Sequence, residues 1–184
     1  RRSSLLKSLK ADNKNNNEKE FDDDGRRIPY SIAQDVKYIP RNVGKLSKSF
    51  LAIRTAGGVE LTNDVYARKP SDPTFWFIGK IARISDVSVE QAVSRLWPLL
   101  EAHACKLRPV ELFASRGDLE LWVAPGDSET AIVNDDPQTP PLKECPFEVE
   151  GASSVNRAFV GFQGHIHDNN NDPIICTHRD DFGR

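Results

Sequence analysis

Four side chains near the C-terminal end of the chain are of the types that bind metal ions. His165 and His167 lie two positions apart in a predicted strand, so both imidazoles would point to the same face, and Cys176 and His178 repeat this spacing. Together they could close a zinc site across a turn. Zinc sites more often use CxxC or HxxxH spacing, however, and histidines in a terminal loop are usually exposed. We therefore predict no metal and no other cofactor.

Ser128 is the candidate nucleophile, because it directly follows a predicted turn at 125–127. It lies in PGDSE rather than in a GxSxG motif, and the strand-turn-strand setting predicted for it lacks the helix N-terminus that such a nucleophile uses. Neighbouring acids could form a carboxylate pair, although acids in a turn more often bind backbone donors. These acids are Asp127, Glu129, Asp135 and Asp136. With no P-loop or GxGxxG motif, and with His103 expected at the core edge, we predict that the protein is not an enzyme.

Charge is distributed unevenly along the chain. Residues 26–54 contain seven basic residues and one acid, a formal charge of +6, whereas residues 117–150 contain nine acids and one lysine, a formal charge of -8. The net charge of -2 conceals this asymmetry. Such a separation can steer docking onto a charged partner, although salt screens it beyond about 8 Å. The alternative is that both segments are merely solvated.

The basic segment also contains aromatic side chains, and one further aromatic residue is predicted on the outer face of a strand. We predict that these residues contact a protein partner. Basic residues mixed with aromatics can also hold RNA, but the chain is slightly acidic and has no RNP, KH or OB signature. The candidate partner-binding residues are Arg26, Arg27, Tyr30, Lys37, Tyr38, Arg41, Lys45 and Trp122.

The 184 residues are enough for one domain with terminal extensions. Residues 1–25 combine a stretch typical of organelle transit peptides with an Asn- and Asp-rich linker, so we expect a targeting remnant, or else an ordinary basic terminus. Residues 26–64 are predicted to form an extended basic arm, because Pro29 and Pro40 would interrupt a helix. Residues 65–168 form the predicted domain. Residues 169–184 are expected to be a loop-like tail.

Periodicity predicts an α+β fold: about five mostly antiparallel strands with one amphipathic helix packed on the sheet, plus the extended N-terminal arm. The helix spans 89–106, begins at a capping box of Ser88 and Gln91, and is expected to kink or break at Pro98. In DLELWVA, alternation places Leu121 inside and Trp122 outside. The predicted strands are 74–84, 110–113, 118–124, 130–133, 147–150 and 158–166. No apolar stretch approaches the ~20 residues that span a bilayer.

Four segments carry a resemblance to a known family. They are FWFIGKIAR (75–83), EQAVSRLWPLLEAHACKLRPVELF (90–113), LELWVAPGDSE (119–129) and GASSVNRAFVGFQG (151–164). These strings resemble plastid-targeted proteins of algae, a family whose member in diatom-type photosystem I is a stromal accessory subunit without a membrane helix. The HAxxLRPxEL and LExWxAPGDSE patterns are the most specific part, and the similarity spans about 66–164.

The resemblance implies a chloroplast protein on the stromal side of the thylakoid membrane, associated peripherally and without a transmembrane segment. Its expected partners are the stromal faces of core and extrinsic subunits of photosystem I, with no nucleic acid bound and no chlorophyll held by this chain alone. The resemblance implies no catalytic or metal-binding residues. Two alternatives stay open, a photosystem assembly factor and an RNA-binding plastid protein.

Overall fold

The computed structural model describes residues 34–165 and 178–179. The described residues form one antiparallel sheet with helices on both faces, which confirms the predicted α+β class. Strand order is β4-β3-β1-β2-β5, and β6 pairs with β2 beyond the end of β5. The strands are β1 (Thr62–Arg68), β2 (Phe75–Arg83), β3 (Glu120–Pro125), β4 (Lys143–Cys145), β5 (Val160–Gly164) and β6 (His178–Arg179). The helices are α1 (Pro40–Gly57), α2 (Val89–Leu107), α3 (Pro109–Leu112) and α4 (Ser128–Val133).

Helix α2 forms where its periodicity predicts it, and it covers one face of the sheet. The capping box is present: Gln91 donates its backbone N–H to Ser88 Oγ at 3.1 Å, and Ser88 donates its own to Gln91 Oε1 at 3.1 Å. The helix is continuous through Pro98, so a break there was a wrong expectation. Trp97 and Leu99 on either side of the proline are buried, and this packing holds the helix together across the missing donor.

The predicted extended arm at 26–64 is wrong from Pro40 onward, because residues 40–57 are helical. Pro40 does not interrupt this helix but starts it, at a position where the missing N–H has no helical partner to lose. Leu46 and Phe50 are fully buried against the rest of the domain. The domain therefore begins well before residue 65, and two long helices rather than one pack on the sheet. Residues 26–33 lie outside the described residues.

Three short predicted strands are also wrong. Residues 110–113 belong to α3 and the turn after it, and residues 130–133 belong to α4. Residues 147–150 are not a strand, since the β4 edge strand lies earlier in the chain. Four residues are too few for alternation to distinguish a strand from one helical turn, so tertiary contacts decided these segments.

The strands predicted at 74–84 and 118–124 are present as β2 and β3, and the register of β3 is confirmed. Of the strand predicted at 158–166, Val160–Gly164 forms β5, whereas Arg157–Phe159 is a 3-10 turn. Leu121 is fully buried on the α2 side, whereas Trp122 points to the opposite face. In the predicted loop-like tail, His178 and Arg179 instead form β6 by pairing with Trp76 and Phe75. The rest of 169–184 lies outside the described residues.

Candidate functional site

The face of the sheet opposite α2 carries a cluster of charged side chains centred on Asp64. Val65 points into the α2 core, so its neighbour in β1 points to the other face, where Asp64 is fully buried. Its carboxylate accepts hydrogen bonds from Ser128 Oγ at 2.5 Å, from the Glu129 N–H at 2.9 Å and from the Asp127 N–H at 3.2 Å. Burial raises the pKa of Asp64 to about 6.

Lys80 of β2 is the cation shared by this cluster. Its Nζ lies 2.5 Å from Glu129 Oε1 and 3.6 Å from Asp64 Oδ1, and it also binds Asp127. Arg54 of α1 approaches the same Asp127 at 2.8 Å. Two strands, the β3–α4 turn and helix α1 are thereby connected through opposite charges. The contacts of Lys80 with Asp64 and Glu129 are largely buried, whereas the pair of Arg54 with Asp127 is partly exposed.

Arg179 closes the cluster from β6. Its side chain is fully buried, with the guanidinium 4.8 Å from the Tyr66 ring centroid. Nη2 donates to Ser128 Oγ at 3.1 Å, and Nη1 donates to the carbonyl of Pro140. Tyr66 is fully buried beneath the arginine, and burial raises the pKa of its hydroxyl to about 12.

Ser128 occupies a different setting from the one predicted. The turn at Asp127 has a positive φ of 62° and leads into helix α4, so a strand-turn-helix arrangement is present after all. The N–H groups of Asp127 and Glu129 nevertheless bind the Asp64 carboxylate, and Ser128 is only 4% exposed. In this arrangement the turn that follows β3 is hydrogen-bonded to Asp64 of β1.

The described metal-ligand candidates do not come together. His165 packs on Phe77 at 5.3 Å between ring centroids, and His178 packs on Trp76 at 5.6 Å. Phe77 and Trp76 are neighbours in β2 and face opposite sides of the sheet, so these histidines do too. Within 34–165 and 178–179, no group of three or more His, Cys, Asp or Glu side chains is arranged so that it could hold a metal ion. His167 and Cys176 lie outside the described residues.

His103 is part of the core rather than of its edge, since it is only 7% exposed. Burial lowers its pKa to about 4. Its Nδ1 is 2.9 Å from the hydroxyl of Tyr38, one of the aromatic residues assigned to partner binding. Tyr38 therefore contributes to the fold by holding the segment before α1 against α2.

The basic candidates that the structure describes lie on the surface. Lys37, Arg41 and Lys45 are exposed, and Lys48 continues the exposed stripe one turn further along α1. Helix α1 contains no acidic residue. Among the described residues, none of these four side chains forms an ion pair, whereas Arg54 at the far end is paired with Asp127. Arg26, Arg27 and Tyr30 lie outside the described residues.

Trp122 is on the outer face as predicted, but neighbouring side chains cover much of its ring. Its ring packs edge-on against Phe75 at 5.1 Å, and the Arg68 guanidinium lies 4.9 Å from it. Its indole N–H donates to Glu120 at 3.0 Å. The residue stabilises a small aromatic cluster, and only part of it faces solvent.

The acidic segment is divided between internal and surface roles. Glu120, Asp127 and Glu129 pair with basic residues from other elements. The other six acids of 117–150 are exposed: Asp118, Asp135, Asp136, Glu144, Glu148 and Glu150. Strands β3 and β4 form one edge of the sheet, and α1 packs on β5 at the other. Of the exposed acids, Asp118 and Glu144 lie in or beside β3 and β4, away from α1 in the strand order.

Sequence reasoning missed three members of the buried cluster, Asp64, Lys80 and Arg179. Two of them carried a usable signal, because a charged residue inside an apolar strand needs a partner of opposite charge. Comparison of the chain with protein-family models, with curated proteins and with solved structures gives no match.

Proposed function

We propose that the chain is a non-catalytic docking protein that binds a larger complex through its basic α1 face. The observation that carries the proposal is the stripe of Arg41, Lys45 and Lys48, three exposed bases on a helix without acids. Such a stripe has no partner among the described residues and is suited to a negatively charged surface.

The resemblance to plastid-targeted algal proteins supplies the partner in this proposal. We place the protein on the stromal side of the thylakoid membrane, as a peripheral subunit that stabilises photosystem I through contacts with core and extrinsic subunits. No helix within the described residues is long and apolar enough to cross a membrane. The buried cluster around Asp64 supports a binding role as well, because it rigidifies the domain and leaves Ser128 shielded from substrate.

Purification of mature photosystem I tests the proposal directly. The protein should be present in stoichiometric amount, and an alkaline or high-salt wash of thylakoids should release it without detergent. Retention like that of an integral protein would contradict peripheral attachment. Presence only in immature complexes would indicate an assembly factor, and release by nuclease would indicate RNA binding.

Paired variants then test the surface itself. Arg41→Gln with Lys45→Gln should weaken rebinding to washed complexes by about tenfold and flatten its salt dependence. The matched control is Arg116→Gln with Lys143→Gln, which removes the same charge from exposed positions outside α1. Equal losses in both proteins would show that only net charge matters and that the α1 face is not the docking surface.

A further inference from the structure

The buried cluster around Asp64 contains the groups needed to join two side chains covalently. Asp64 of β1 and Lys80 of β2 are directly opposite each other in the antiparallel pair, and Lys80 Nζ lies 3.6 Å from Asp64 Oδ1. An amine this close to a carboxyl group is near the separation of about 3 to 3.5 Å from which such groups react. The fold thus holds both reactants together before any reaction begins.

Among the acids of the cluster, Asp64 is the best suited to be attacked. A carboxylate anion is a poor electrophile, whereas a protonated carboxyl group accepts a nucleophile. Burial raises the pKa of Asp64 to about 6, an effect that the Ser128 hydrogen bond reduces and the neighbouring Glu129 carboxylate increases. Burial acts on Asp127 in the same direction, but its contacts with Lys80 and other bases lower its pKa on balance, so Asp127 stays ionised.

Hydrogen-bond donors surround Asp64 where negative charge would develop. The Asp127 N–H donates to Oδ1 at 3.2 Å, and the Ser128 hydroxyl and the Glu129 N–H donate to Oδ2 at 2.5 Å and 2.9 Å. Attack on Cγ turns one carboxyl oxygen into an oxyanion, which donors already held in place stabilise. The turn that follows β3 therefore supplies an oxyanion hole for a reaction at Asp64 itself.

Glu129 is placed to move the protons. Its Oε1 lies 2.5 Å from Lys80 Nζ, its side chain is only 9% exposed, and its buried Oε2 accepts no hydrogen bond from the described part of the chain. A carboxylate in contact with the amine and next to the attacked carboxyl group can act as general base and then as general acid. Burial acts to lower the pKa of Lys80, but its contacts with Asp127 and Glu129 raise it on balance, so the free amine is scarce and the reaction is slow.

We propose that Lys80 and Asp64 form an intramolecular amide bond that cross-links β1 to β2. Glu129 takes a proton from the ammonium, and Nζ attacks Cγ of the protonated Asp64 carboxyl group. The Nζ–Cγ bond forms, the bond from Cγ to the hydroxyl oxygen breaks, and that oxygen leaves as water. Of the three ammonium protons, one stays as the amide N–H, one leaves in the water and one ends on Glu129. No oxidant, reductant or other reactant takes part.

Intact mass spectrometry of the purified full chain tests the proposal without any variant. During incubation for several days, the folded chain should lose about 18 Da, the mass of one water, whereas chain kept in guanidinium chloride should lose none. An unchanged mass in the folded state would overturn the proposal. An equal loss in the unfolded chain would also overturn it, because the reaction would then not depend on this geometry.

Digestion with trypsin locates the bond. It should give one branched peptide in which residues 55–68 are joined to residues 69–83, without cleavage after Lys80. A dehydrated linear peptide would indicate a succinimide and would refute the cross-link. A branch from the lysine to either of the other two acids of the cluster would refute the assignment of Asp64 as the electrophile.

Single variants test the role of each group. Lys80→Arg keeps the charge but lacks the nucleophilic amine, so its mass should not change, whereas Asp64→Asn should lose ammonia, about 17 Da, in place of water. Glu129→Gln should slow the reaction by about 100-fold or more. Glu120→Gln is the matched control, since its carboxylate pairs with Arg68 outside the cluster, and it should react at the parent rate. Equal rates in the two glutamine variants would refute Glu129 as the base.

Thermal melting shows which variants are folded, and the mass of the parent chain decides the proposal even if a variant is not. Photosystem I takes no part in these measurements, so failure of the cross-link and failure of the α1 docking surface can be told apart. Unfolding experiments on Asp64 and Lys80 refer to the chain before cross-linking, which its unchanged mass identifies.

Discussion

On the face covered by α2, the central strands bury Val65, Ile81 and Leu121 in an apolar core. On the opposite face, β1 and β2 hold the fully buried Asp64 and the partly buried Lys80 in a network of opposite charges. Apolar packing is non-directional and contributes most of the folding free energy. A buried ionic network contributes less net stability, but removing one member leaves an uncompensated charge behind. The two faces should therefore respond differently to mutation and to pH.

The largest effect is expected from Lys80→Met. The variant leaves three carboxylates around a vacated position, and it should lower the free energy of unfolding by about 3 to 5 kcal/mol. Part of the loss should be recovered below pH 5, where carboxylates become protonated. Urea unfolding at neutral pH and below pH 5 measures the loss and its recovery. Lys48→Met, on the exposed α1 face, is the control and should cost less than about 0.5 kcal/mol.

Leu121→Ala tests the apolar face and should cost about 2 to 5 kcal/mol, with no recovery at acid pH. Glu120→Ala, one position earlier in β3, removes a partly exposed pair with Arg68 and should cost about 1 kcal/mol or less. The comparison uses urea unfolding. If both changes cost the same, the apolar face would not be the main source of stability.

The pH dependence of stability distinguishes two buried groups with opposite signs. The pKa of Asp64 is raised from 3.8 to about 6, so its contribution to stability is present at low pH and is lost as pH rises through 6. The pKa of His103 is lowered from 6.5 to about 4, so its contribution is present above pH 6.5 and is lost as pH falls through 4. Between pH 6.5 and 4 the two oppose each other.

Single variants separate these contributions. Asp64→Asn should lose stability more steeply than the parent on acidification from pH 6.5 to 4, and His103→Gln should lose it less steeply. Each difference should be on the order of 2 to 3 kcal/mol, at about 1.4 kcal/mol per pKa unit. Denaturant unfolding across this range gives the slopes. Identical slopes in all three proteins would refute both assignments.

The smallest expected effect concerns the contact between α1 and β5. A Cβ on Gly161 would lie 2.2 Å from the backbone nitrogen of Phe50, so Gly161→Ala must push the helix away and should cost about 1 to 3 kcal/mol. Gly44→Ala, on the open side of α1, meets nothing within 4 Å and should stabilise the protein by about 0.5 to 1 kcal/mol. Thermal melts of the two variants should shift in opposite directions.

Prediction from the sequence succeeded where periodicity was long. Helix α2 has a capping box and five turns of regular apolar spacing, and burial in β3 alternates from Glu120 to Val123. The prediction for α1 failed because the apolar residues of this helix show only weak helical periodicity and because its first residue is a proline. In the sequence, that proline looks like the end of a helix rather than its beginning. The predictions for the short segments after Pro109 and Asp127 failed because these segments contain too few residues to show any period.

Prediction of the candidate sites likewise succeeded for local features and failed for a contact between distant residues. The basic stripe was partly found, since Lys37, Arg41 and Lys45 are exposed, and assignment of Trp122 to the outer face is confirmed. Tyr38 was assigned to a partner, yet it binds His103 within the domain. A hydrogen bond between residues 65 positions apart leaves no pattern in the chain.

By itself, the sequence determined the fold class, the positions of the long elements and the separation of charge along the chain, because these depend on local spacing and on composition. Only the tertiary structure decided that Asp64, Lys80 and Arg179 meet, and that α1 packs beside β5 at one edge of the sheet. The physical reason is that such contacts join strands distant in sequence. Their partners are set by strand order and register, which arise only when the whole core packs at once.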